Sequence, residues 1–150
     1  MTHAGLVILA ERYLLRQGCR VVLTERGRAG EEFPDAIGWM PDGTSILIEA
    51  KRTRKDFLAE WSRADRKQHR RNHQAGMGER RYYLGPAGII RPDDLEGNGW
   101  GLIEAWPRRL FKRVDSVHFQ PDRYAELRLI VASFSKVERD KNNRQQQFAF

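Results

Sequence analysis

Pro41-Asp42-Gly43 is the feature that most limits what this chain can become. Proline presets φ, and glycine accepts the positive φ of a tight turn. Pro34 to Met40 therefore reads as one strand and Thr44 to Ala50 as its antiparallel partner. Ile46-Leu47-Ile48 has no polar residue to offer solvent, so this second strand should be covered on both faces. A sheet with helices on each side supplies the two covers.

The flanking sequence supplies candidates for them. Leu6, Leu9, Ala10, Tyr13 and Leu14 recur at helical spacing, and Gln17-Gly18 ends that helix. Val21 to about Glu25 reads as a strand, and Arg26 to Glu32 as a loop. A second helix is expected from Arg54 to about Gln74, with Phe57, Leu58, Trp61 and Ala64 on one side and basic residues on the other. Arg81 to Leu84 is a strand. Gly85 to Gly99 is a loop with a helical turn at Pro92-Asp93-Asp94-Leu95, and Trp100–Trp106 and Leu110–Val114 are two further strands. Pro121 opens a last helix whose apolar stripe is Leu127, Ile130, Val131 and Phe134. The expectation is an α/β (α+β) fold: helix, three strands, helix, strand, in a mixed sheet flanked by helices, with a C-terminal helix. One domain spans 1–135, and the polar tail 136–150 is expected to be frayed or disordered.

Charge and cysteine usage narrow the partners. The 150 residues carry a formal net charge of +7, mostly from arginine, whose forked guanidinium suits phosphate oxygens. The single cysteine, Cys19, permits no internal disulfide and no cysteine-based zinc cage, which fits a reducing cytoplasm. No run of about 18 apolar residues exists, so no membrane span is expected. The apolar part of MTHAGLVILAERYLL is short and runs into Glu11 and Arg12, unlike a signal peptide.

The hairpin also places chemistry. With Asp42 at the centre of the turn, Asp35 lies across the ladder from Glu49. Directly opposed side chains share a face, with Cβ atoms about 4.5–5.5 Å apart. Two carboxylates so placed repel, and one gains a raised pKa, unless a hard cation sits between them. Lys51 emerges on the same face as Glu49, while Ala50 points to the other. Asp42, about 20 Å away at the tip, is a turn residue. All of this depends on register, because a one-residue slip sends Asp35 to the opposite face.

Pro34-Asp35, a spacer, and Glu49-Ala50-Lys51 at the end of an apolar strand resemble the PD-(D/E)XK nuclease superfamily. The element order from Gly5 to Leu84 also resembles its restriction-endonuclease-like core. Asp56-Phe57, Tyr82-Tyr83, Gly85-Pro86 and Gly101-Leu102-Ile103 extend the likeness to the MmcB-like branch, which is associated with DNA repair. The basic helix after Asp56 is longer than that branch leads one to expect. The resemblance implies a metal-dependent deoxyribonuclease. Asp35, Glu49 and the Ala50 carbonyl would hold Mg²⁺ or Mn²⁺, and Lys51 would act in catalysis. Glu25 and Glu11 are the alternatives for a third acidic ligand. Glu25 ends the strand before Asp35, and Glu11 lies in the first helix, as a glutamate does in archaeal Holliday-junction resolvases.

Arg52, Arg54, Lys55, Arg63, Arg66, Lys67, Arg70 and Arg71 follow the hairpin and form a candidate track for a phosphate backbone. The partner expected is DNA, with RNA an open alternative. A homodimer is also open. His69 and His73 have zinc-compatible spacing without a completing carboxylate. Asp56 either supports Lys51 or caps the helix. Phe57, Trp61, Trp100 and Trp106 are expected to pack rather than stack on bases. Two rival readings are a catalytically silent nucleic-acid-binding module and a protein-interaction subunit, each keeping the fold.

Overall fold

In the computed structural model, helix α1 (His3–Gln17) starts where the Thr2 hydroxyl accepts the Gly5 amide. It ends at Gly18, whose φ of 102° lets its amide return to the last turn. The structure describes residues 1–25, 33–62 and 76–147, without the side chains at 61 and 62. The expected loop 26–32 and the part of the second helix beyond Ser62 lie outside the described residues.

Six strands form one sheet in the order β1-β2-β3-β4-β5-β6. They are β1 (Val21–Thr24), β2 (Ala36–Trp39), β3 (Ser45–Ala50), β4 (Arg80–Pro86), β5 (Gly101–Trp106) and β6 (Arg109–Val114). β1, β2 and β3 form an antiparallel meander, β3–β4 and β4–β5 are parallel, and β6 returns antiparallel. The parallel β4–β5 step needs a crossover, which the residues after Pro86 supply with a 3-10 turn at Pro92–Leu95. Arg54 pins this crossover with a fork onto Asp94 at 2.9 and 3.0 Å and a bond to the Ile89 carbonyl.

The sheet is covered as the Ile46-Leu47-Ile48 run requires. Leu6, Val7, Ala10 and Leu14 of α1 pack on Ile48, Ala50 and Leu84. On the opposite face, Ile37, Leu47 and Tyr83 meet Phe57 of helix α2 (Arg54–Ser62), Trp100 and Phe119. Trp100 stacks on Tyr83 at 4.6 Å, so it packs as expected, whereas Trp106 is exposed.

The last helix departs from expectation. Helix α3 (Arg123–Gln147) is capped by Asp122, which accepts the Ala125 amide, so Pro121 lies just outside it. It continues to Gln147, through the stretch expected to fray. Neither glycine nor proline interrupts it, and Glu138 pairs with Lys141 one turn on. Its expected stripe is also corrected. Leu127, Val131 and Phe134 are more than half exposed, and of that stripe only Ile130 joins the core. The helix is rotated so that Glu126 points inward at 1 % exposure. There Trp39 Nε1, Ser45 Oγ, the Gly78 amide and Arg123 all donate to its carboxylate. Four donors on one buried anion outweigh an apolar stripe that gains little by facing a small patch of core. No helix among the described residues is long and apolar enough to cross a membrane.

Candidate active site

The open end of the β2–β3 hairpin is where Asp35, Glu49 and Glu25 are brought onto neighbouring strands. Ala36 is opposite Ile48, and Ile37 is opposite Leu47. One further step places Asp35 opposite Glu49, the register expected from the turn. β1 adds a third acid. Thr24 is opposite Ala36, and the Glu25 amide donates to the Asp35 carbonyl at 3.2 Å. Glu25, Asp35 and Glu49 therefore stand in one row across three adjacent strands. Tyr83 of β4 follows Glu49 in the same row.

The side chains do not all follow the row. Asp35 is a bend residue just before β2, where the ladder no longer dictates side-chain direction. Its carboxylate is buried at 7 % exposure and accepts the Ala50 amide at 2.7 Å. It then meets two neighbours, His3 from the first turn of α1 and Glu25. His3 Nε2 lies 2.5 Å from Glu25 Oε1 and 3.5 Å from Asp35 Oδ1. One ligand atom from each of His3, Glu25 and Asp35 falls within a sphere of mutual distances below 4.8 Å. Glu49 adjoins this group along the row. Ala50 touches the site through its amide. Glu11, the alternative third acid, lies on α1 outside the convergence, and Glu25 lies within it.

Burial pushes the Asp35 carboxyl up to about 6, and the Glu25 charge and hydrogen bond push the same way. The Ala50 amide and His3 oppose the rise. Two carboxylates held together, one of them buried, form a site that a cation would relieve. Adjacent ligands of an octahedral ion with bonds of about 2.1 Å sit about 3 Å apart, and opposite ones about 4.2 Å. The His3 nitrogen lies 2.5 and 3.5 Å from the two carboxylate oxygens, and all three donors lie within 4.8 Å of one another, so small shifts would let them share one divalent cation.

Lys51 follows β3 and is held from two sides. Its amide donates to the Leu84 carbonyl at 2.8 Å. Its ammonium pairs with Glu60 Oε2 of α2 at 2.8 Å, both side chains being largely buried. Gly85 packs against this segment. A Cβ there would come within 2.8 Å of the Lys51 carbonyl oxygen, which explains a glycine inside β4. Asp56 is exposed in the first turn of α2, its amide capped by Thr53, so the partner of Lys51 is Glu60 instead.

Among the basic residues, Arg52 and Lys55, shortly after Lys51 in the chain, are exposed, whereas Arg54 is committed to Asp94. Arg63, Arg66, Lys67, Arg70 and Arg71 lie outside the described residues, as do His69 and His73.

Sequence reasoning missed His3 and Glu60. Glu60 left a signal: it falls three residues after Phe57, so a charge interrupts the apolar face of α2. His3 left none, because its reach to the strand ends depends on how α1 lies across the sheet.

No protein-family profile and no curated protein matches the chain. A solved structure of a protein of unknown function from Silicibacter pomeroyi is similar to it, with a TM-score of 0.62 and 19% identity. The match covers 97% of this chain and 92% of that one. At that identity the likeness shows the shared fold.

Proposed function

We propose that this protein is a metal-dependent nuclease that hydrolyses phosphodiester bonds in DNA, acting in the cytoplasm in DNA repair or phage DNA processing. The observation that carries this reading is the row Glu25–Asp35–Glu49 at the hairpin mouth, with Lys51 two residues further on. Asp35, with Glu25, Glu49 and the Ala50 carbonyl, would hold Mg²⁺ or Mn²⁺. When bound, the ion supplies a more acidic water and positive charge beside the scissile phosphate. Asp35 and Glu25 fix the position of that charge. Lys51, paired with Glu60, would orient the attacking water or stabilise the developing negative charge. The exposed Arg52 and Lys55 would add phosphate contacts, sequence-independent and salt-sensitive.

Cleavage is the direct test. Labelled single-stranded, duplex and branched DNA, and RNA, are incubated with protein in EDTA, Mg²⁺ or Mn²⁺. Metal-dependent cutting is expected. Asp35→Ala, Glu49→Ala and Lys51→Ala should each lower it at least about a hundredfold with the fold retained. Full activity in all three variants would sink the assignment.

One observation favours a second reading. Lys51 is already paired with Glu60, and that pairing competes with a role at the attacking water. DNA binding with no cleavage in any metal would establish that silent module instead.

A further inference from the structure

We propose that His3 is a direct nitrogen ligand in this site, so that it takes a first-row transition ion such as Mn²⁺ in preference to Mg²⁺. The inference rests on the metal-site reading above and goes beyond it, because neither the Asp/Glu/Lys pattern nor the hairpin register points to a histidine.

Three observations carry it. First, His3 Nε2 is within 2.5 Å of Glu25 Oε1 and 3.5 Å of Asp35 Oδ1, on the same side as both carboxylates. Second, His3 is fixed in place. It is the first residue of α1, the Thr2 cap sets that start, and Leu6, Val7 and Ala10 are anchored at 0 % exposure. The imidazole thus reaches the strand ends from a rigid element rather than a loose terminus. Third, the donor set is mixed. Glu25 and Asp35 offer oxygen and His3 offers nitrogen. Mg²⁺ favours oxygen ligands and gives up water reluctantly, whereas imidazole strengthens binding of first-row transition ions.

As a simple surface ion pair, His3 and Glu25 would contribute little, with side chains 44 % and 34 % exposed. That alternative predicts no coupling of a bound Mn²⁺ to a directly ligated nitrogen. It also leaves unexplained why the pair closes over a carboxylate as buried as Asp35.

The test uses the full chain without nucleic acid. Mn²⁺ and Mg²⁺ are titrated calorimetrically into the wild type and His3→Gln. The Mn²⁺ complexes are then examined by pulsed electron paramagnetic resonance for coupling to a directly bound ¹⁴N. The wild type should show that coupling and bind Mn²⁺ more tightly than Mg²⁺. His3→Gln should lose the coupling and at least about tenfold in Mn²⁺ affinity, with Mg²⁺ affinity little changed. Circular dichroism of the variant checks that α1 still forms, and the wild-type spectrum needs no variant. Mn²⁺ bound without nitrogen coupling, equal losses for both ions, or no Mn²⁺ binding at millimolar concentration would overturn the proposal. Its failure is separable from that of the nuclease reading. Nitrogen coupling in a protein that cuts nothing keeps His3 and removes the nuclease. Cleavage in Mg²⁺ without nitrogen coupling does the reverse.

Discussion

At the turn end of the β2–β3 hairpin, the Glu126 carboxylate receives Trp39, Ser45, the Gly78 amide and Arg123. At the open end, the Asp35 carboxylate receives the Ala50 amide and otherwise faces an imidazole and a second carboxylate. Both are nearly inaccessible to water. The first is a closed network in which donors outnumber oxygens, and it ties α3 to the sheet. The second is short of donors, and its carboxyl is pushed up to about 6. A buried acid with every lone pair answered is fastening. A buried acid left facing another acid holds unspent electrostatic potential, which is what a binding site for a cation requires.

Glu126→Ala should have the largest effect. It strands the Trp39 indole, the Ser45 hydroxyl and the Gly78 amide in the core, and should cost about 3 kcal/mol or more in urea denaturation. A loss below about 1 kcal/mol would show that α3 is not fastened there.

Asp35→Asn should move stability the other way at neutral pH. The folded carboxyl holds its proton up to about 6, above the usual 3.8. Between these values the folded state binds a proton that the unfolded state has lost. Stability contributed by Asp35 is therefore full below about 4, falls as pH rises through 6, and is level above it. The shift corresponds to roughly 2–3 kcal/mol. The variant should gain about that at pH 7 and lose this slope, as read by denaturation at pH 4, 5, 6 and 7. A wild type that is flat across this range would break the contrast between the two ends. Mn²⁺ at pH 7 should raise the wild-type Tm, and the Asp35→Asn variant should not respond.

The smallest effects test the rotation that Glu126 imposes. Phe134→Ser and Leu127→Ser should each change stability by less than about 0.5 kcal/mol, because these side chains are exposed. Ile130→Ser should cost about 1 kcal/mol or more, because Ile130 packs on the core. Equal losses at all three positions would mean that the apolar stripe faces inward after all.

Much of this was legible in the chain. Pro41-Asp42-Gly43 determined a two-strand register, and the register determined that Asp35 stands across from Glu49. The double cover of Ile46-Leu47-Ile48 followed from its lack of polar residues. These are local consequences of turn geometry and of the two-residue period of a strand, so the sequence carries them alone. The rotation of α3 was not legible. Leu127, Val131 and Phe134 are an apolar stripe at helical spacing, but periodicity cannot weigh it against a glutamate whose four donors come from residues 39, 45, 78 and 123. The final shape of the site was not legible either. Alternation predicts where Asp35 points only inside a ladder, and Asp35 sits one residue outside it. Its carboxylate therefore turned to the Ala50 amide, and the arrival of α1 decided that His3, rather than Glu49 alone, would stand beside it. Glu60 reached Lys51 by the same route, through the packing of Phe57. Spacing along one strand is set by covalent geometry. What closes over its end is set by helices that dock from far away in sequence, and only the folded chain decides that.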